Sequence, residues 1–394
     1  LRAWRSFWLE FRKGEKGMQV ASAYRVALVQ QIEAKCWLSL RVREAFLTVP
    51  RHVFLTPRED VEREQWLNEV YQDTAVVTKL DGGGMPLSSS SQPSVMAWML
   101  EALEILPEMR VLEIGTGTGY NAALLACLTG DPTRVTTIEI DPELTTQARL
   151  RIEKLIGPGM ITVTGDGKRG MPEYGPYDRI IATASAFPVP PAWIAQLAPH
   201  GRLVLDLRGK MGGGLMVLEK QRETNATGRF LAMKETISFM GLRATAKEET
   251  QAKRFALPSL HEQHLYEPET VEHTCASHFS SYEQFRGEDD SFNLWVQCLF
   301  PSLSIKWKRQ EKRAFARLVE GESQTTLTIE QRGNQMGVAV KGTCPLWTAI
   351  VQAYQAWLGL EKPGYTDLTL VITSESQEMR VAHKGQSVTL KICH

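Results

Sequence analysis

Glycines at 115, 117 and 119 interrupt the apolar run Val111–Tyr120 (VLEIGTGTGY), and an acid, Glu113, stands two residues before the first of them. Alternating glycines let a backbone turn tightly and approach a ligand, with Thr116 carried between them. Nicotinamide and flavin folds use a similar loop, so the glycines alone do not name the ligand. Charge narrows the choice. Glu113 sits where a dinucleotide's pyrophosphate would be repelled and a cationic amino acid group would be attracted. Glu139 ends the run TTIE, twenty residues after Gly119, where a carboxylate can accept both hydroxyls of a ribose. Asp166 and Gly167 follow ITVTG and are placed for the edge of an adenine. Acids at three successive strand ends predict a loop that binds S-adenosyl-L-methionine through Glu113, Gly115, Thr116, Gly117, Gly119, Glu139, Asp166 and Gly167. They favour a methyltransferase over a dehydrogenase.

A second group of candidates is Ser88, Ser89, Ser90 and Ser91, near the end of the polar, glycine-rich stretch Tyr71–Pro93. A flexible linker has the same composition. A loop of this length inside a domain is usually functional, however, and this one stops at Gln92-Pro93, where a helix with the stripe Val95, Met96, Met99, Leu100 and Leu103 begins. Hydroxyls and backbone N–H groups at such a point can hold a carboxylate. A carboxylate has a reference pKa near about 4 and is ionised at neutral pH. It needs no general base, so the expected catalysis is alignment of oxygen, methyl and sulfonium at about 3 Å, with no catalytic His or Asp.

The elements that must position these residues follow from periodicity. Ala21–Val49 carries two helical stripes, Leu28/Ile32/Cys36 and Val42/Ala45/Phe46/Val49. Strands are predicted at Val111–Ile114, Val135–Ile140, Ile161–Val163, Arg179–Thr183, Leu203–Leu207 and Leu215–Leu218. Helices are predicted at Tyr120–Leu128, Pro142–Leu155 and Pro191–Leu197. This rhythm predicts an α/β fold, a Rossmann-like parallel sheet with helices on both faces, closed by a strand at Ile237–Leu242. The predicted organisation is an N-terminal extension (1–17), a methyltransferase domain (18–243), a charged linker (244–258) and a smaller C-terminal α+β domain (259–394). In that last part Leu303-Ile305-Trp307, Leu368-Leu370-Ile372 and Val388-Leu390-Ile392 alternate with period two. Trp347, Ile350, Val351, Tyr354, Trp357 and Leu358 form a helical stripe, which reads as core rather than a ligand cage.

Lys+Arg and Asp+Glu are both 45, so no overall field points to nucleic acid or anionic lipid. Six scattered cysteines without a CxxC pair predict reduced thiols and a cytoplasmic setting. No apolar run is long enough for a transmembrane helix. Residues 1–17 place Trp4, Phe7, Trp8 and Phe11 at helical spacing among basic residues. They read either as an amphipathic surface helix or as a segment preceding a start at Met18. His261, His264, His273, Cys275 and His278 cluster loosely but match no zinc spacing, so no metal is expected. For His52, a structural role weighs at least as much as contact with substrate.

The motifs VPRHVF, YQD, SQP, VLEIGTGTGYNAALLA, TTIEID, GDGKRGMP, YDRIIATASA, IAQLAPHGRLVL and SFMGLR, between about Ala21 and Leu242, resemble the protein-L-isoaspartate O-methyltransferase family. The resemblance implies a peptide or protein partner bearing an aspartyl or isoaspartyl side chain, methylated to an ester that can collapse to succinimide. It assigns Ser91 as the active-site serine, Ser89 as a second catalytic candidate, and Ser88, Ser90, Thr183 and Ala184 as substrate contacts. Ser89 and Ser90 depart from the family's Thr-Ile-Ser text. The chain also continues for about 150 residues beyond Leu242, room for a whole domain. The serine-rich loop and the extension are similar to a branch that tailors ribosomally made peptides such as lanthipeptides, which would make the partner a modified precursor peptide. General repair of isoaspartate, and a catalytically idle scaffold retaining the cofactor fold, are the alternatives.

Overall fold

The computed structural model describes residues 16–222, 225–232, 239, 241–242, 290–310, 313–320, 323–332, 335–342 and 344–392. Residues 1–15, the linker 244–258 and the His261–His278 group lie outside them. Helix α1 (Lys16–Glu33) runs across the expected boundary at 17/18, and α2 (Leu40–Thr48) follows after a break, capped by Ser39 Oγ, which accepts from Val42 N at 3.3 Å. Leu28, Ile32, Val42, Ala45, Phe46 and Val49 are buried as their spacing requires. Helix α3 (Arg63–Val70) leads into the stretch read as a loop. That stretch holds a hairpin instead, β1 (Val76–Leu80) paired antiparallel with β2 (Pro86–Ser90). β1 is largely exposed, so it carries no apolar alternation that would have revealed it.

Helix α4 (Pro93–Leu103) precedes β3 (Val111–Ile114), α5 (Tyr120–Thr129), β4 (Val135–Glu139), α6 (Pro142–Ile156), β5 (Ile161–Thr164), β6 (Tyr177–Ala186), α7 (Pro191–Gln196) and β7 (Leu197–Arg208). The five strands pair in parallel in the order β5-β4-β3-β6-β7. Parallel strands need helical crossovers, and these cover both faces. Val111 joins one core with α1, α2, α4, α5 and α6, while its neighbours Leu112 and Ile114 join the other. From β7 onward the sheet is antiparallel, through β8 (Gly213–Arg222) and β9 (Asn225–Phe230). Of the expected closing strand, 237, 238 and 240 lie outside the described residues. Gly241 forms a single parallel bridge with Ser185.

The C-terminal part contains strands and helices as predicted: α8 (Asp290–Leu299), a four-stranded antiparallel sheet β10 (Ser304–Gln310), β11 (Arg313–Glu320), β12 (Ser323–Arg332) and β13 (Gln335–Gly342), then α9 (Cys344–Gly359), β14 (Leu368–Ile372), β15 (Gln377–His383) and β16 (Gln386–Ile392). It does not stand apart from the first half. β14 pairs antiparallel with β9, from Thr369↔Arg229 to Ile372↔Ala226, and makes one ten-stranded sheet, β16-β15-β14-β9-β8-β7-β6-β3-β4-β5. The physical reason is the edge. β9 would otherwise present unpaired N–H and C=O groups, and the alternating burial of β14 continues the same apolar face. Phe292, Trp295, Tyr354 and Trp357 accordingly share one core with Leu205, Leu207 and Met216. Ile350, Tyr354 and Trp357 are buried there, which makes their stripe core.

Candidate active site

A cavity of about 360 Å³ opens at the C-terminal ends of β3, β4 and β6, under the β1–β2 hairpin. Its lining includes Gly115, Thr116, Gly117, Glu139 and Gly167 of the strand ends together with Ser88 to Ser91, Thr183 and Ala184. Gly117 stands against the serine segment, where a Cβ would meet Ser89 O at 3.6 Å. Of the fourteen residues singled out above, eleven line the cavity; Glu113, Gly119 and Asp166 do not.

The glycine turn is held by backbone geometry. Gly115 has φ +97°, and a Cβ there would stand 2.7 Å from Thr183 Oγ1. That hydroxyl donates to Gly115 O at 2.7 Å and sits 3.1 Å from Ile114 O, so Thr183 braces the turn. Gly119, at φ +87°, faces α6, where a Cβ would meet Ile152 at 3.1 Å; its task is packing. Glu139 Oε2 accepts from Gly117 N at 3.0 Å, and Oε1 accepts from Asp141 N at 3.2 Å, which fixes this carboxylate at the cavity wall.

Glu113 is fully buried behind the loop. Its Oε1 accepts from Asn121 Nδ2 at 2.7 Å and its Oε2 from Thr137 Oγ1 at 2.6 Å; Thr137 in turn meets Thr116 Oγ1 at 2.6 Å. Burial pushes its pKa up to about 7 against the lowering effect of these hydrogen bonds. Asn121 lines the cavity, and with Nδ2 committed to Glu113 its buried Oδ1 has no hydrogen-bond partner. Asp166 caps the short turn Gly167–Arg169 by accepting from Lys168 N at 2.9 Å, so its carboxylate serves the backbone and Gly167 alone reaches the cavity.

On the serine side, Ser88 and Ser90 are buried and Ser89 and Ser91 half-buried. Ser88 Oγ accepts from Thr78 Oγ1 at 3.1 Å across the hairpin. The segment is anchored from behind by Arg51, whose guanidinium donates to the carbonyls of Val70 (2.9 Å), Gln72 (3.0 Å), Thr74 (3.0 Å), Ser90 (3.4 Å) and Ser91 (3.2 Å). Asp73 accepts from Ser94 N at 2.7 Å and Gln92 Nε2 at 3.1 Å, and pairs with Lys35 at 3.1 Å. Burial raises the Asp73 pKa, but those hydrogen bonds outweigh it and hold the carboxyl below its ordinary value. The first turn of α4 therefore already carries an internal anion at Ser94 N. His52 bonds Tyr71 Oη at 2.7 Å, and burial with the Arg25 and Arg63 charges lowers its pKa to about 4, so it is a neutral packing group. Sequence reasoning missed Arg51, Asp73 and Asn121. All three lie inside motifs it quoted, VPRHVF, YQD and GTGYN.

The model of the protein-L-isoaspartate(D-aspartate) O-methyltransferase family matches residues 23–244, more than half of the chain. The chain belongs to this family. It is 33% identical over 225 residues to protein-L-isoaspartate O-methyltransferase 2 of Archaeoglobus fulgidus, covering 56% of this chain and 96% of that protein. With the Thermotoga maritima protein-L-isoaspartate O-methyltransferase it shares 38% identity over 177 residues, 45% of this chain but only 53% of that protein's length. A solved structure of a protein-L-isoaspartate O-methyltransferase matches with a TM-score of 0.56 at 24% identity over 91% of this chain and 99% of its own, a likeness of fold that takes in the C-terminal strands.

The methyl donor is S-adenosyl-L-methionine, and the cavity fits it. Its volume is within the range of small-molecule sites, the glycine backbone is open to close approach, and Glu139 presents a fixed carboxylate of the kind that accepts from ribose hydroxyls. The unpaired Asn121 Oδ1 is an acceptor that an ammonium group would satisfy. Among the described residues, no helix is long and apolar enough to cross a membrane.

Proposed function

We propose that this chain transfers a methyl group from S-adenosyl-L-methionine to the side-chain carboxylate of an aspartyl or isoaspartyl residue in a peptide. The observation that carries the reading is one cavity lined both by the glycine turn with Glu139 and by the serine segment Ser88 to Ser91. When bound, the cofactor supplies an electrophilic methyl on a sulfonium. The chain's own task is to hold the carboxylate in line with it. The only acid among the described cavity residues, Glu139, is engaged by Gly117 and Asp141, and an ionised acceptor asks for no base. Ser91 and Ser89 would orient the acceptor, with Ser88, Ser90 and Ala184 shaping its seat. Glu139 and the glycine turn would hold the cofactor, Glu113 acting through Asn121 and Thr116.

For the substrate we propose a dedicated, ribosomally made peptide of lanthipeptide-like type, supported by the serine-rich segment and by the long continuation past Leu242. General repair of isoaspartyl proteins is favoured by a different observation: a fold with similar C-terminal strands belongs to a structure titled as a protein-L-isoaspartate O-methyltransferase. Cys36, Cys127 and Cys298, which form no disulfide among the described residues, suit a reducing, cytoplasmic setting for either. The test offers labelled cofactor to a short isoaspartyl peptide and to cyclised aspartyl peptides. Turnover confined to the cyclised peptides is expected, and robust turnover of the short isoaspartyl peptide would sink the dedicated role. Glu139→Ala should weaken S-adenosylhomocysteine binding, whereas Ser91→Ala should leave it intact and slow transfer. Binding without turnover on any peptide would mark an idle scaffold.

A further inference from the structure

Behind the serine segment lies a buried cation without an acid of its own. Arg51 is fully buried and none of its described hydrogen bonds goes to a carboxylate. The carboxylate whose charge it feels, Asp73, is occupied by Ser94, Gln92 and Lys35. A buried guanidinium is costly unless its donors are satisfied, and here backbone carbonyls satisfy them. Tyr71 and Tyr120 are the other titratable groups whose influence reaches it.

Two of those carbonyls belong to the peptide units Ser90–Ser91 and Ser91–Gln92. Neither unit is cis, and in a trans peptide the N–H points opposite to the C=O. Drawing both carbonyls onto Arg51 therefore turns the N–H groups of Ser91 and Gln92 away from it. Ser91 and Gln92 line the cavity, whereas Arg51 does not. Outside the strand ladders and helices, neither N–H donates to a described backbone group. Consecutive N–H groups facing a cavity in front of a fixed positive charge make a seat for an anion.

We infer that Arg51 is a positioning residue for the acceptor, aiming the Ser91 and Gln92 N–H groups at its carboxylate and supplying the potential that selects a carboxylate over the neutral amide. This deepens the proposed carboxyl transfer and rests on it. The serine hydroxyls then orient an anion that the backbone and the buried charge have already drawn in.

The test measures binding to protein saturated with S-adenosylhomocysteine, so it does not depend on turnover. Two peptide pairs are used: isoaspartyl against isoasparaginyl in a short peptide, and aspartyl against asparaginyl in a cyclised one. Wild type should bind the carboxylate member of at least one pair about tenfold more tightly. Arg51→Gln, neutral but able to donate, should bring that ratio within about threefold, and Arg51→Lys, which keeps the charge, should preserve it. Unchanged S-adenosylhomocysteine affinity shows that each variant is folded. In wild type, amide NMR signals of Ser91 and Gln92 should shift with the carboxylate peptide and not with the amide. The inference is overturned if wild type shows no preference in either pair, if those two signals stay still, or if a cofactor-binding Arg51→Gln keeps the wild-type ratio. A carboxylate preference without methyl transfer would support the role of Arg51 and count against the proposed reaction.

Discussion

Replacing Glu113 by glutamine should remove a defined piece of the pH dependence of stability. Burial, aided by the negative charge of Glu139 and opposed by hydrogen bonds from Thr137 and Asn121, raises the Glu113 pKa from 4.5 to about 7. One pKa unit is about 1.4 kcal/mol, so ionised Glu113 costs the folded state about 3 kcal/mol relative to the unfolded chain. The sign follows from proton uptake. Between the two values the folded protein holds a proton that the unfolded chain has released, so this stabilisation is complete below pH 4.5 and is lost as pH rises through about 7. Other groups titrate over the same interval, and the difference between wild type and Glu113→Gln cancels them. Urea unfolding of the ligand-free proteins from about pH 5 to about pH 8 should show the variant gaining about 2.5 kcal/mol on wild type. The offset at any single pH is not the measure, because glutamine must rearrange the bonds to Asn121 and Thr137. A difference that stays flat across the interval would refute the assignment of Glu113 as a buried, proton-retaining acid.

Gly115→Ala should lower thermal stability by about 1–3 kcal/mol and abolish S-adenosylhomocysteine binding, because φ is +97° and the new Cβ meets Thr183 Oγ1. Adding Thr183→Ala should relieve the contact without restoring the backbone, and full recovery of binding would show that sterics alone were at issue. Asn121→Ala should weaken S-adenosylhomocysteine about tenfold and leave 5′-methylthioadenosine, which lacks the amino acid part, unaffected. Equal losses for both ligands in calorimetry would contradict an ammonium partner. Gln377→Ala should destabilise by about 2 kcal/mol, since its buried amide both accepts from Val189 N (3.1 Å) and donates to Val189 O (2.6 Å); an unchanged melting temperature would speak against that bridge.

The glycine-turn part of the candidate site was legible because its residues follow one another along short, strongly patterned segments. Gly115, Gly117 and Glu139 sit where strand–turn–helix rhythm puts them. Glu113 shows the limit of that rhythm. An acid at a strand end was evident, yet alternation places it on the face of Val111, toward the helix, and so it meets Asn121 and Thr137 rather than the cavity. Arg51 was invisible for another reason. Its bonds reach 19 to 40 residues along the chain, and no local period encodes them. The C-terminal strands were readable as strands from their alternation, but alternation does not say which edge a strand joins. Only the β9–β14 register does that.

That register has a consequence for synthesis. Residues 226–229 must wait for residues 369–372 before their outer edge is paired, and the interval between them is a long stretch of chain to close. A growing chain that has completed the cofactor-binding strands still displays an open edge and a bare apolar face, the surfaces on which nascent proteins pair wrongly with one another. Release of β14 from the ribosome, rather than completion of the glycine turn, is the moment at which the edge of β9 is covered.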